Sequence, residues 1–277
     1  TSVVASLAHL AKGSLGGVVA VDCDVEAANL ALLLTGEDHQ TEPFNAGRRA
    51  VIDSDRCTDC GLCDDHCRFD AIATDPTTRV DTMRCEGCGV CELVCPEDAI
   101  RFVDNQAGWT MQRDTSTGPL VHARLGVAQD SSGKLVAAVR EQARAVATAR
   151  GMELVVVDGP PGIGCPGHAA LTGCDWALVV TEPTMSGEHD LRRVLELCEH
   201  FRIRAAVLIN KHDLAPKLTT RIVELAEQHS APVVGRIPFD PAVPQALAQG
   251  ELPLRIESFR GTLSHAWDGV LDLLERE

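Results

Sequence analysis

The chain has no tyrosine, and its 277 residues include only three tryptophans, six phenylalanines and four methionines. With so few aromatics, the interior has to be filled by Val, Leu, Ile and Ala. No apolar run approaches the roughly 18 residues a membrane helix needs, and no charged-then-apolar leader opens the sequence. Positive charge is scarce as well. The 25 Lys and Arg face 40 Asp and Glu, for a net charge of −15, which argues against nucleic acid, whose binding relies on clustered cations. The expectation is a soluble, cytoplasmic protein with neither a membrane nor a nucleic-acid partner. Hydrophobic residues at 45% and charged residues at 23% exclude disorder, collagen and coiled coil as descriptions of the whole chain. The length suggests two domains, or one large domain with an insert.

What the chain does have is cysteine, and nearly all in one place. Eight of the twelve lie within the 39 residues from Cys57 to Cys95. The acidic charge gathers there too, with 13 acidic against 5 basic residues between Asp53 and Asp104. The stretch is an internal repeat. Cys57-Thr-Asp-Cys60-Gly-Leu-Cys63-Asp-Asp-His-Cys67 recurs 28 residues later as Cys85-Glu-Gly-Cys88-Gly-Val-Cys91-Glu-Leu-Val-Cys95. A secreted disulfide scaffold would spread its cysteines, so local metal binding is the better reading. Zinc sites use two C-x2-C pairs separated by a longer loop, not three evenly spaced cysteines and a fourth.

Both copies have the C-x2-C-x2-C-x3-C spacing of two-cluster bacterial ferredoxins, and Pro96 follows the second copy. In that pattern the fourth cysteine ligates the other cluster. The resemblance therefore implies two [4Fe-4S] clusters, one on Cys57, Cys60, Cys63 and Cys95, the other on Cys85, Cys88, Cys91 and Cys67. Arg68 stands where the ferredoxin pattern has proline.

Outside this stretch, apolar runs of about five residues alternate with amphipathic segments. The runs at 17–21, 153–157, 176–180, 205–209 and 232–235 predict strands buried on both faces. The segments 26–34, 132–150, 188–200, 217–229 and 262–274 predict helices, and Thr1–Lys12 predicts another. Strand alternating with helix predicts a doubly wound, mostly parallel α/β sheet with an inserted α+β domain. Ligands bind such sheets beyond the carboxyl ends of the strands. That directs attention to Asp22-Cys23-Asp24, Asp158-Gly159-Pro160-Pro161-Gly162, Thr181-Glu182 and Asn210-Lys211. Two carboxylates ending adjacent strands supply the hard oxygens a Mg–phosphate site requires. Capping of the following helices is the plainer use for the same residues.

Taken together, these pieces resemble the MinD/ParA-type deviant P-loop ATPases, most closely members carrying a two-cluster ferredoxin insert. The matching residues are Thr1-Ser2 opening a helix, Asp22-x-Asp24-x4-Asn29, Asp158-x-Pro-Pro-Gly162, Asn210-Lys211 and Ile237-Pro238-Phe239-Asp240-Pro241. The Thr181-Glu182-Pro183-Thr184 run is also similar to that subgroup. The resemblance implies ATP and Mg2+ as ligands, with Thr1, Asp22 and Asp158 around the metal and Ser2 near the α-phosphate. It implies that Asp24 orients the attacking water with Asp158 in the catalytic shell, and that the switch segment runs to Asn29. Asn210 would read the adenine edge beside Lys211, with Pro238, Phe239 and Asp240 lining the base pocket. Asn210-Lys211-His212-Asp213 also fits the N-K-x-D pattern that reads guanine; the resemblance implies ATP. The Gly-rich loop and its lysine would precede Thr1 in the full-length protein.

The expected domains are the ATPase at 1–46 and 108–277 and the ferredoxin insert at 47–107. Three functions follow: an ATPase gating electron transfer through the clusters, an ATP-dependent metallocluster assembly or insertion factor, and a non-catalytic electron carrier. The resemblance also implies a homodimer with ATP at its interface, and the clusters imply a redox or metalloprotein partner. Among lesser features, Cys23, Cys174 and Cys198 read as small buried hydrophobes, and His122 reads as structural.

Overall fold

The computed structural model describes residues 1–127, 129 and 132–275. In chain order the elements are α1 (Ser2–Leu15), β1 (Val19–Asp22), α2 (Leu30–Leu33), β2 (Asp38–Ile52), α3 (Leu62–Asp65), β3 (Ile72–Ala73), β4 (Arg79–Val80) and α4 (Val90–Val94). They continue with β5 (Ile100–Thr115), β6 (Gly118–Leu125), α5 (Ser132–Arg150), β7 (Val155–Asp158), α6 (Cys165–Leu171), β8 (Trp176–Thr181), α7 (Met185–Phe201) and β9 (Arg204–Asn210). The last are α8 (Pro216–Gln228), β10 (Val233–Ile237), α9 (Ala242–Ala248) and α10 (Glu257–Glu275). Among the described residues no helix is long and apolar enough to cross a membrane.

The chain divides into two compact units. One holds Thr1–Thr41, Met111–Ala123 and Ser132–Glu277; the other holds Glu42–Thr110 and Arg124–Ser131. The divisions fall inside strands: the chain passes from the first unit to the second within β2 and returns within β5.

The first unit is built on parallel pairs. β1 pairs with β6 and β7, in the order β2-β5-β6-β1-β7, and β9 pairs with β8 and β10. Burial along β9 shows why its sequence is uniformly apolar. Leu208 packs into a core shared with Val3, Leu7 and Ala11 of α1 and with Phe259, Leu263 and Trp267 of α10. Its neighbours Val207 and Ile209 join Leu191 and Leu195 of α7 and Ile222 and Leu225 of α8. Successive side chains of a strand point to opposite faces, so helices cover both faces, as a doubly wound sheet requires.

The predicted strands lie within one or two residues of the observed ones at their ends, and α5, α7 and α8 match their periodic segments. The helix expected over 26–34 shrinks to α2. The reason is Asp22, whose carboxylate accepts the backbone N–H of Asp24 at 3.1 Å and of Leu30 at 3.0 Å. The intervening chain folds around that carboxylate instead of along a helix axis, with Ala27 N–H turned onto the Asp24 carbonyl. Strand-like pieces at 50–53 and 100–103 predict the end of β2 and the start of β5, while β6 and the rest of β2 and β5 are not predicted. β2 reads DHQTEPFNAGRRAVI, polar and broken by Pro43 and Gly47, and most of its residues are exposed.

Candidate functional site

The second unit repeats its backbone at the same 28-residue interval as its cysteines. Left-handed residues recur in pairs: Asp59 (φ 52°) with Gly87 (φ 64°), Gly61 (79°) with Gly89 (91°), and Asp70 (50°) with Asp98 (43°). Gly61 and Gly89 begin α3 and α4, the short helices that carry the third cysteine of each copy. The two copies are stitched crosswise. Asp53 N–H donates to the Ala99 carbonyl at 2.7 Å, and Asp81 N–H to the Ala71 carbonyl at 2.7 Å. The entry to each cysteine triplet is thereby tied to the exit of the other copy. At those exits, Ala99 N–H lies 3.3 Å from Cys95 Sγ and Ala71 N–H lies 3.3 Å from Cys67 Sγ.

Cys57, Cys60, Cys63 and Cys95 line one small cavity together with Ile52 and Ile100. Cys67, Cys85 and Cys91 pack in the same small apolar core as Cys63, Ala50 and Ile72. Burial raises the Cys63 and Cys91 thiols above their ordinary range, and neighbouring cysteines of the same triplet push them further up. Among the described residues no three Cys, His, Asp or Glu side chains converge tightly enough to hold a single ion. Thiols spread around a shared space, with backbone N–H aimed at sulfur, fit a polynuclear cluster better than one tetrahedral zinc.

In the first unit, β1 and β7 end in register, with Asp22 opposite Asp158, and Cys23 N–H closes onto the Asp158 carbonyl at 2.9 Å. Both carboxylates are buried. The Asp22 carboxyl is pushed up to about 6, chiefly by burial and further by the Asp158 charge, against the lowering effect of its hydrogen bond from Leu30. The backbone nitrogen of Thr1 lies 3.1 Å from Asp158 Oδ1. Asp158 Oδ2 is buried with no hydrogen-bond partner among the described residues. A buried carboxylate oxygen left unsatisfied leaves room for a cation, and the carboxylates of Asp22 and Asp158 are the hard oxygen donors Mg2+ takes. Asp24 is half-buried beside them, while Ser2 begins α1 and Asn29 precedes α2, exposed.

A second group forms beyond β8, β9 and β10. Asn210 Nδ2 donates to Glu182 Oε1 at 3.2 Å, and Lys211 Nζ pairs with the same oxygen at 2.7 Å. Phe239 N–H donates to Asp213 Oδ1 at 2.7 Å. Both oxygens of Asp240 are engaged, one accepting from Ala242 N–H at 2.9 Å and the other from the Ser258 hydroxyl at the start of α10 at 3.0 Å. Its place in the fold is to fix the turn that presents Phe239, whose ring is 44% exposed. Glu182 stands out here as a partner of Asn210 and Lys211, which its sequence position, just past a strand, only hinted at.

Other cysteines differ among themselves. Cys23 and Cys198 are buried, as expected, but Cys174 is only half-buried. Its sulfur receives the Arg140 guanidinium at 3.4 Å and donates to the Ala170 carbonyl at 3.3 Å. His122 is buried against Asp38, Nε2 to Oδ1 at 2.9 Å, and Arg113 grips the same carboxylate at 2.8 and 3.2 Å.

Comparison with known proteins agrees with both halves of this geometry. Residues 50–102 match the family described as the 4Fe-4S dicluster domain. Over 212 residues, 76% of this chain and 73% of the relative, the sequence is 34% identical to the uncharacterized protein MJ0578 of Methanocaldococcus jannaschii. The chain belongs to that protein's family. Its fold is shared with the MinD of the Aquifex aeolicus MinC:MinD cell division complex, at 16% identity, TM-score 0.55, and coverage of 98% of this chain and 90% of that one. It is shared as well with the Mg-ADP complex of the septum site-determining protein MinD from Pyrococcus horikoshii, at 16% identity, TM-score 0.53, and coverage of 99% and 91%. The chain thus combines a MinD/ParA-type α/β fold with a 4Fe-4S dicluster domain.

Proposed function

We propose that this protein is an iron–sulfur ATPase in which ATP binding and hydrolysis are coupled to electron transfer through two [4Fe-4S] clusters. The observation that carries the nucleotide half is the register of Asp22 and Asp158, two buried carboxylates at adjacent parallel strand ends with an oxygen left unsatisfied. Mg2+ bound there would supply charge neutralisation for a phosphate chain. Around it the chain's own groups have separate tasks. Asp22 also holds the 23–29 segment through two backbone N–H groups, so a change at that carboxylate is transmitted to the loop. Asp24, at the start of that loop, is placed to orient a water. The complex of P. horikoshii MinD with Mg-ADP supports the same ligand class for this fold.

The observation that supports the cluster half is the crosswise stitching of the two copies, which ties the entry to each cysteine triplet to the exit that follows the other copy's fourth cysteine. Cys57, Cys60, Cys63 and Cys95 would hold one cluster, and Cys85, Cys88, Cys91 and Cys67 the other. Complete four-thiolate ligation favours electron carriage over a cargo role, since a cluster to be handed on is better held at an exposed, incomplete site. Clusters so held take up and release single electrons. The chain leaves the first unit after the switch segment and rejoins it ahead of Asp158, so loop movement on nucleotide binding has a covalent route to the cysteine-bearing unit.

The test is a redox titration, followed by EPR, of anaerobically purified full-length protein with and without Mg–ATP or a non-hydrolysable analogue. Coupling that changes a one-electron equilibrium tenfold moves the potential by about 59 mV. A shift of that order is the expected result. Unchanged potentials with nucleotide demonstrably bound would remove the coupling and leave a passive electron carrier.

A further inference from the structure

Asn210 has an amide with two chemically opposite ends, and which end faces a ligand decides what it recognises. In this fold Glu182 determines that choice. Its Oε1 accepts from Asn210 Nδ2 at 3.2 Å, which turns Asn210 Oδ1 away from that carboxylate. The same carboxylate oxygen is pinned by Lys211 Nζ at 2.7 Å, and Lys211 itself sits in a left-handed turn (φ 52°) directly after β9. Glu182 lies just past the end of β8, which runs parallel to β9 in register with it, so the pairing spans two strands and not a mobile loop tip. An ionised carboxylate is acceptor-only, so the bond from Nδ2 cannot be replaced by a flipped amide without setting oxygen against oxygen.

We propose that Glu182 is the positioning residue for base specificity: by holding Nδ2 of Asn210 it keeps Oδ1 as the reading atom, an acceptor that takes the exocyclic amine of adenine and rejects the exocyclic carbonyl of guanine. The adenine edge offers an N6 amine where guanine has the O6 acceptor. A site built to receive a donor discriminates strongly against a ligand that brings an acceptor, because two lone pairs are then opposed and left unsatisfied. The rival guanine reading requires Asp213 as the base acceptor. Asp213 is instead engaged by Phe239 N–H at 2.7 Å, where it ties the loop after β10 to the turn after β9. An asparagine there could keep the same bond through its own Oδ1.

This inference rests on the nucleotide-binding reading above, and the test separates the two. Dissociation constants for Mg–ATP and Mg–GTP are measured by competition against a fluorescent ADP, with full-length wild-type protein, Glu182→Gln and Asp213→Asn. Glu182 is partly exposed, so the Gln variant is expected to fold, and its melting temperature is compared with wild type. Wild type should prefer ATP. In Glu182→Gln the Asn210 amide can turn either way, so the ATP:GTP preference should fall about tenfold, or roughly 1.4 kcal/mol, mostly through tighter GTP binding. Asp213→Asn should keep the wild-type ratio. A merely structural role for Glu182 would weaken both nucleotides alike and leave the ratio unmoved, which would overturn the proposal. So would a collapse of the ratio in Asp213→Asn alone. Failure of wild-type protein to bind either nucleotide would instead remove the nucleotide reading itself, and this inference with it.

Discussion

Asp22 shows how one side chain can be costly to the fold and useful to the site. Its carboxyl is raised from 3.8 to about 6, chiefly by burial, so the folded protein holds that proton more tightly than the unfolded chain does. Well below pH 3.8 the group is protonated in both states and nothing is lost. Through the window from about 4 to 6 the unfolded chain ionises first, and stability falls as pH rises. Between pH 5 and 7.5 the metal-free protein should lose about 1.4 kcal/mol through this group alone. Urea unfolding of wild type and Asp22→Asn at the two pH values isolates it: the hydrogen bond lost in the variant is the same at both, so only the difference between them reads the carboxyl. An equal gap at both pH values would mean that Asp22 is not raised. Asp38 is the opposite case. Its carboxyl is held below the usual range, first by the hydrogen bond from Arg113 and then, against some burial, by His122. Its contribution is present at neutral pH and lost as pH falls through the lowered value. Asp38→Ala strands a buried histidine and a mostly buried arginine, which should cost about 2 kcal/mol in denaturant unfolding at pH 7. A neutral result would show that neither group needs the carboxylate.

At the scale of elements, the two cysteine loops differ where Asp59 of the first copy is replaced by Gly87 in the second. Gly87 and Gly61 both lie in the left-handed region, but a Cβ on Gly61 meets nothing within 4 Å, whereas one on Gly87 would clash with the Arg48 carbonyl oxygen. Arg48 is fixed there, with its guanidinium 4.3 Å from the centre of the Phe102 ring and its Nε donating to the Gly87 carbonyl at 3.2 Å. Gly61→Ala therefore meets only the backbone preference, about 1 kcal/mol, and should retain full iron after anaerobic reconstitution. Gly87→Ala has to displace backbone and should lose iron and visible absorbance. Equal iron in both variants would refute the close approach. The same contrast explains what could be read beforehand. The cysteine spacing and the five apolar runs are local signals, and they located the dicluster unit and the strands that end at Asp22, Asp158 and Asn210. The helix expected over 26–34 forms only at its end, because the apolar spacing of 26–29 is helical while the backbone there answers to a buried carboxylate. Most of β2 was missed because it is polar and mostly exposed. The Glu182–Asn210 bond joins two strands 28 residues apart, and nothing local in the sequence announces it.

For the molecule as a whole, the dominant physical fact is the charge of −15 on 277 residues. If the chain closes as a homodimer on ATP, as the MinD/ParA resemblance implies, two strongly acidic bodies must approach, and their repulsion works against nucleotide-driven closure. Self-repulsion of this kind acts at long range and is screened over about 10 Å at 0.1 M salt. Mg2+ and ATP supply the short-range contacts, and added salt removes the long-range penalty. Sedimentation velocity of full-length protein should therefore find monomer without nucleotide at any salt, and a dimer with Mg–ATP whose fraction grows as salt rises from about 20 to about 150 mM. Most interfaces rich in ion pairs behave the other way and weaken over that range. A dimer that dissociates on adding salt would place opposite charges across the interface and would mean that the acidic surface faces elsewhere. A dimer that ignores nucleotide would detach association from the Asp22–Asp158 site altogether. Growth with salt, confined to the Mg–ATP state, is the outcome that joins the charge of the whole chain to the two carboxylates at the ends of β1 and β7.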